Sequence, residues 1–541
     1  MQADHESHVE LIVSAGAPDE QRLAQRAPAA TCQSREAIIA SKPSVTARKP
    51  AAHPQPRRKA APKAARKAPG SPAAPSLAHK VAHLPEQSHG LPHAERRARG
   101  RGLRALSPRR ELARWKVADG RADPIDLLIA NSAGRVSELV PIRYGRMMAS
   151  PFAFFRGAAA IMAHDLSFLP NIGLDVVACG DAHLVNFGGF ATPERRLVFD
   201  INDFDEVSVA PWEWDVRRLT ASFVIAGRAN GFTPADCTAA AAAAARSYRQ
   251  QIARYAEMPV LDAYYEFIDL KKLALANPDD ELKKLTLKRI RKAEADSAHL
   301  KEFARLTFQS GETPRIKDEP PLIYHDNDLQ RQADFHSFAA SMIADYVGSL
   351  PPERRMLVQR YRLADVAVKV VGVGSVGTYC GIALMVSGNG DPLFLQFKEA
   401  RASVLEPYCG RVPIQHHGER VVFGQRLLQS ASDIFLGWMT SQKTGRQFYV
   451  RQLRDAKIKP MVEIMNPLAM VDYAEACGWA LARAHKRSGD AVVLTGYMGS
   501  TDAFEAGMAG FATAYADQNE RDHAALVAAV RAGRVEARVD V

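Results

Sequence analysis

Residues 179–186 read Cys179-Gly180-Asp181-Ala182-His183-Leu184-Val185-Asn186. Seventeen residues after Asn186, Asp203 stands within Val198-Phe199-Asp200-Ile201-Asn202-Asp203-Phe204-Asp205-Glu206. Gly173–Ala178 has the composition of a strand running into the first stretch, and Leu197–Phe199 that of a strand feeding the second. An Asp, an Asn five residues on and a second Asp at the next strand end hold a metal-nucleotide beside a substrate hydroxyl. Asp200, Asp203, Asp205 and Glu206 crowd one turn, and their mutual repulsion is costly without a cation.

Downstream, Asp365–Val371 is a β-branched run followed by Gly372-Val373-Gly374-Ser375-Val376-Gly377. A dinucleotide fold needs a helix directly after such glycines. Here Thr378–Val386 reads as another strand, Ser387–Asp391 as a tight turn, and Pro392–Lys398 as a third strand. The pattern predicts a glycine loop folded over phosphates by a hairpin, with Lys398 pairing with those phosphates. No Gly-Lys-Ser/Thr follows, so it is not a P-loop. Glu419, at the head of a helix expected over 419–431, is the expected carboxylate partner of Lys398, with Glu406 as its competitor. Arg451 follows the short strand Phe448–Val450.

Together these residues resemble the protein-kinase-like superfamily, in particular its aminoglycoside and choline phosphotransferase branch. That branch carries H-G-D-x-H-x-x-N, then I-D-F/W, then an Asp twelve residues beyond. Asp181, His183 and Asn186 match the first motif, Asp203 the second, and Asp215 lies twelve residues after Asp203. Cys179 departs from the pattern, standing where the branch has His. The resemblance implies that Asp181 orients or deprotonates an acceptor hydroxyl, with His183 beside it as base or loop brace. It implies that Asn186 and Asp203, with Asp200 alongside, hold Mg²⁺. Gly372, Gly374, Gly377, Lys398, Glu419 and Arg451 would serve ATP.

The order of parts differs from the branch, because the glycine loop and lysine follow the catalytic loop. The helical stretch ending Leu481-Ala482-Arg483-Ala484-His485 resembles the L-A-x-x-H helix that ordinarily leads straight into that loop. Circular permutation reconciles both departures. More closely, residues from about 105 to 530 resemble an uncharacterised bacterial family, domain of unknown function 2252. That likeness rests on Ser150-Pro151-Phe152-Ala153-Phe154-Phe155-Arg156-Gly157, Pro211-Trp212-Glu213-Trp214-Asp215 and Tyr449-Val450-Arg451-Gln452-Leu453, with the two acidic motifs.

The expected fold is therefore α+β: a two-lobed, protein-kinase-like body, circularly permuted, behind a disordered basic tail. Residues 1–104 are the Ala/Pro/Lys/Arg-rich tail, and 105–355 a mainly helical lobe with the catalytic and metal loops. Residues 356–465 are a β-rich nucleotide lobe, and 466–541 are helices packing back on the catalytic lobe. Ser150-Pro151 opens an expected helix over Phe152–Met162, and Thr233-Pro234-Ala235-Asp236 caps another through the alanine run.

The formal net charge is +11, yet residues 1–110 hold 20 Lys and Arg against 8 Asp and Glu, leaving 51 against 52 in the rest. The basicity belongs to the tail, which can contact nucleic acid or acidic surfaces non-specifically; the body is neutral. Six scattered cysteines without a C-x-x-C pair argue against a zinc site or disulfide scaffold. No apolar run is long enough to span a bilayer, so a cytoplasmic protein without a membrane is expected. Several arginines (Arg143, Arg146, Arg156) lie upstream of the catalytic loop, where they either clamp phosphate or pair with structural carboxylates. The expected function is ATP- and Mg²⁺-dependent transfer to a hydroxyl of an unknown, small-molecule acceptor. The alternatives are AMP transfer on the same fold and a non-catalytic, ATP-binding regulatory protein.

Overall fold

The computed structural model describes residues 84–85, 90–277, 279–295, 303–310, 313–325, 335–370, 376–453 and 457–539. Helix and sheet are segregated as an α+β protein requires. Most of the expected tail, with Gly372 and Gly374, lies outside the described residues. Its last part is corrected: His93–Gly102 is a helix, α1. Arg96 forms a bidentate pair with Asp490 at 2.6 and 2.9 Å, and Gly100 meets Gly496 so closely that no side chain fits between them.

Val140–Met148 (α2) and Pro151–Gly157 (α3) follow, with Ser150 Oγ accepting the Ala153 N–H at 3.0 Å. The helix expected to run to Met162 is broken after Gly157 and restarts at Ala159–Leu166. The Gly157 carbonyl accepts instead from Arg143 Nη2 at 3.0 Å. Strand β1, Asp175–Ala178, enters the Cys179–Asn186 loop. β2 (Phe187–Ala191) and β3 (Leu197–Ile201) form an antiparallel hairpin, and β4 (Ser208–Pro211) returns beside β1.

Trp212 to Asp215 then enter α4, Glu213–Ala229, and Thr233 caps α5, Pro234–Glu257. The alanine run of α5 lets Pro467–His485 approach closely: Gly478 lies directly on the Ala244 carbonyl. Trp212 is fully buried and stacks on Tyr248 and Phe504 at the centre of this core. Ala503–Arg531 completes it.

The larger sheet contains Tyr361–Lys369 (β5), Cys380–Ser387 (β6), Pro392–Glu399 (β7), Gly437–Thr440 (β8) and Gln447–Gln452 (β9). Its order is β8-β9-β7-β6-β5, with Ile323–Tyr324 at the far edge, antiparallel throughout. Period-two alternation buries both faces. Ala383 and Met385 pack toward Tyr346 of the helix Phe335–Ser349 and toward Leu350 just after it. Ile382, Leu384 and Val386 pack toward Leu306 and Ile316. The sheet thus draws in residues from before the expected boundary at 355. Between β7 and β8 lies His417–Leu428 (α6), and after β9 the chain reaches Pro467–His485, here α7.

Candidate functional site

The Cys179–Asn186 loop is shaped by backbone capture. Asp215, in the first turn of α4, accepts the N–H of Cys179 at 2.7 Å and of Gly180 at 2.9 Å. His485, at the end of α7, donates from Nε2 to the same carboxylate at 3.1 Å, and its Nδ1 meets the Tyr248 hydroxyl at 2.9 Å. Gly180 adopts φ +80° and lies against the Glu206 backbone, which excludes a side chain there. The Cys179 thiol is buried, and burial together with Asp215 pushes it well above its ordinary range.

Asp181 emerges from this loop into a cavity of about 210 Å³ that Asn186, Asp203, Asp205, Glu206 and His183 also line. Arg218, one turn beyond Asp215, donates from Nε to Asp181 Oδ1 at 2.6 Å and from Nη2 to the Phe155 carbonyl at 2.8 Å. Asn186 Nδ2 donates to the Asp181 carbonyl at 2.8 Å, which leaves its amide oxygen as an acceptor. Burial first, then Arg218 and Arg156, drive the His183 imidazole down to about 4 against the pull of Asp181, so it is neutral at pH 7. Among the described residues its Nδ1 has no hydrogen-bond partner.

Asp203 is pushed up by burial and then by the Asp205 charge, while Lys398 works against both. Its Oδ1 accepts the Asp205 N–H at 3.2 Å. A crowded carboxylate and an amide oxygen are hard donors that suit Mg²⁺, which takes few protein ligands and completes its shell with phosphate and water. Among the described residues no group of three His, Cys, Asp or Glu side chains is arranged to hold a metal by itself. A cation here would take only part of its shell from these side chains.

Lys398, on the third long strand of the sheet, is 4% exposed and ion-paired with Asp205. Burial raises Asp205, but the Lys398 charge and hydrogen bond, with the Tyr449 hydroxyl and the Arg451 charge, together hold the carboxylate below its ordinary value. The expectation that Glu419 pairs with Lys398 is corrected, because Asp205 takes that place. Glu419 instead begins α6, where His416 Nδ1 accepts its N–H at 3.1 Å. What α6 sends to the site is Arg420, which donates to the carbonyls of Asp205 at 2.8 Å, Val207 at 2.5 Å and Arg401 at 2.6 Å. Glu406, the competitor, lies 3.8 Å from Arg420.

Two other expectations change. Asp200 is fully buried, paired with Arg483 at 2.6 Å and accepting from Ser430 N and Oγ at 2.8 Å each, so it does not share the cation site. Arg451 opens on a separate cavity of about 280 Å³ with Asn202, Asp433 and Lys457 and donates to Gln396 at 3.2 Å, while its charge still acts on Asp203, Asp205 and Lys398. Of the glycine loop, Gly377 is described: it has φ +86°, its carbonyl accepts the Val136 N–H at 2.7 Å, and Thr378 lines the first cavity. Val376 beside it is buried against Leu139 and Ile142.

Arg218, Arg420, Arg135 and Arg401 are functional-site residues that sequence reasoning missed. Only Arg218 carried a local signal, since it lies three residues after Asp215 on one helical face.

A family model described as an uncharacterized protein conserved in bacteria (DUF2252) matches residues 135–529. No curated protein and no solved structure matches.

Proposed function

The chain belongs to this bacterial family, and we propose that it is an ATP- and Mg²⁺-dependent phosphotransferase acting on a hydroxyl of a small-molecule acceptor. One observation carries the reading: Asp181, Asn186 and Asp203 line a single cavity, opposite a sheet whose third long strand bears Lys398. Each group has a role in phosphoryl transfer, where catalysis is mostly positioning and charge neutralisation. Asp181, held by Arg218, orients the acceptor hydroxyl and receives its proton as the new bond to the γ-phosphorus forms and its bond to the β,γ-bridging oxygen breaks, with ADP leaving. Asn186 and Asp203 would hold Mg²⁺, which neutralises phosphate charge when bound. Lys398, exchanging Asp205 for phosphate oxygens, would steady the donor beneath the Gly377 turn.

The permuted kinase-like architecture is supported by α7. Its His485 lies on the carboxylate that braces the catalytic loop, although 270 residues separate it from Asp215. A helix that leads into this loop in the phosphotransferase branch thus lies beside it in space. The Lys398–Asp205 pair favours a second reading, a nucleotide-binding protein at rest without turnover.

The test is Mg²⁺-dependent ATP binding and turnover in wild type, Asp203→Ala and Lys398→Ala. Mass spectrometry of the product separates a phosphoryl from an AMP adduct. Loss of binding in both variants supports the reading; unchanged binding and turnover in both refutes it. Binding without turnover in wild type selects the resting, non-catalytic alternative.

A further inference from the structure

The same cavity is also lined by guanidinium groups that have no carboxylate in ion-pair contact among the described residues. Arg143, 1% exposed, donates among the described residues only to neutral oxygens: Ser132 Oγ at 2.9 Å, Asn131 Oδ1 at 3.0 Å and the Gly157 carbonyl at 3.0 Å. Its Nε is buried with no hydrogen-bond partner among the described residues. Arg156, in the last turn before the helix break, makes no hydrogen bond or ion pair among the described residues, and its Nε is likewise buried. Arg401 donates to the carbonyls of Asn131 at 3.3 Å and Ala133 at 2.5 Å. All three line the cavity.

Burying a guanidinium against neutral oxygens alone leaves its charge largely uncompensated. Three such groups converging on one cavity lower the cost of bringing an anion there, and their forked donors suit phosphate or carboxylate. Among the described residues the acids of the cavity reach these arginines only through space, Asp181 acting on Arg156 and Glu206 on Arg143. Asp181 itself pairs with Arg218, Asp205 with Lys398 and Glu399 with Arg446 at 2.5 Å, while Glu206 accepts the Val404 N–H at 2.8 Å and Asp203 the Asp205 N–H at 3.2 Å.

We propose that the acceptor is itself anionic, a hydroxyl compound bearing a phosphate or carboxylate that Arg143 and Arg156 hold. The inference rests on the phosphotransfer reading and names its substrate class. Position assigns the anion to the acceptor rather than to the nucleotide. Arg156 follows Phe155, whose carbonyl Arg218 holds while holding Asp181, so this wall is joined to the group that handles the hydroxyl. Lys398 and the glycine turn lie on other elements. Cationic acceptors such as aminoglycosides or choline are repelled by the same wall.

The experiment titrates the full chain calorimetrically with inorganic phosphate, with and without a saturating Mg²⁺ complex of a non-hydrolysable ATP analogue. The same titrations follow on R156Q and R143Q, each checked by thermal melting. Arg156 makes no described bond, so R156Q keeps the native contacts even if R143Q fails to fold. Phosphate is expected to bind once per chain, alongside the nucleotide, and to weaken about tenfold or more in R156Q. Nucleotide affinity is expected to stay constant. Displacement of phosphate by the nucleotide, undiminished phosphate binding in R156Q, or no saturable binding overturns the proposal. Phosphate held through Arg156 by a chain that binds no nucleotide refutes phosphotransfer, and the acceptor role with it, while leaving an anion site.

Discussion

The backbone N–H of Cys179 donates to Asp215 Oδ2 at 2.7 Å, joining the strand end before the catalytic loop to the start of a long helix. The brace acts chiefly on the main chain, through the Cys179 and Gly180 N–H groups, and the buried Cys179 thiol adds a bond to the same carboxylate. Asp215→Ala leaves two buried N–H groups and His485 without their acceptor. It is expected to cost about 3–5 kcal/mol and to abolish activity. Cys179→Ala is expected to cost about 1 kcal/mol and to preserve activity. Denaturant midpoints with activity assays on the two variants decide; equal damage from both removes the backbone-brace account.

Asp200 and Asp203 lie three residues apart and do different work. Asp200→Asn weakens the fully buried pair with Arg483 and is expected to lower stability by about 3 kcal/mol with nucleotide affinity unchanged. Asp203→Asn is expected to leave stability near wild type and to weaken Mg²⁺-nucleotide binding at least tenfold. Urea unfolding and nucleotide titration of each variant check the division, and a reversed pattern contradicts it.

Gly180 and Gly231 have nearly equal φ values, +80° and +76°, in unlike surroundings. A Cβ at Gly180 collides with the Glu206 backbone; one at Gly231 meets nothing within 4 Å. Gly231→Ala is expected to cost about 1–2 kcal/mol from backbone strain alone. Gly180→Ala is expected to cost more than that and to displace Asp181, visible as lost turnover. Equal melting temperatures for the two variants would show that the Glu206 contact yields.

Glu213 is buried, and burial above all raises its carboxyl to about 7, with Arg217 only partly opposing. A carboxyl raised in the folded state favours folding fully below its unfolded value, near 4.5, and loses that contribution as pH rises through about 7. Glu213→Gln removes the titration. Wild type is therefore expected to lose stability relative to Glu213→Gln between pH 4.5 and 7, by on the order of 3 kcal/mol. Parallel melting curves across that range refute the assignment.

The cavity's acidic wall was legible because Asp181, Asn186 and Asp203 sit on two loops joined by one short hairpin. Their spacing alone brings them together. Asp200 misled because its acidity looks like its neighbours', while its partner Arg483 lies 283 residues away. The partner of Lys398 was misjudged for a similar reason: a helix glutamate was sought, and a loop aspartate supplied by another part of the fold arrived first. The helix His93–Gly102 was hidden by its own composition. Its docking relies on Gly100 against Gly496 and on Arg96 with Asp490, which apolar patterning does not register.

The position of α7 has a consequence for how the molecule is made. Synthesis delivers the catalytic loop long before Arg483 and His485, the residues that neutralise Asp200 and engage Asp215. Until the ribosome has passed residue 485, the nascent chain carries those two carboxylates without their partners. A prematurely released fragment is thus left unstable and exposed to proteases. The chain order makes completion of the polypeptide a condition for assembling this cavity.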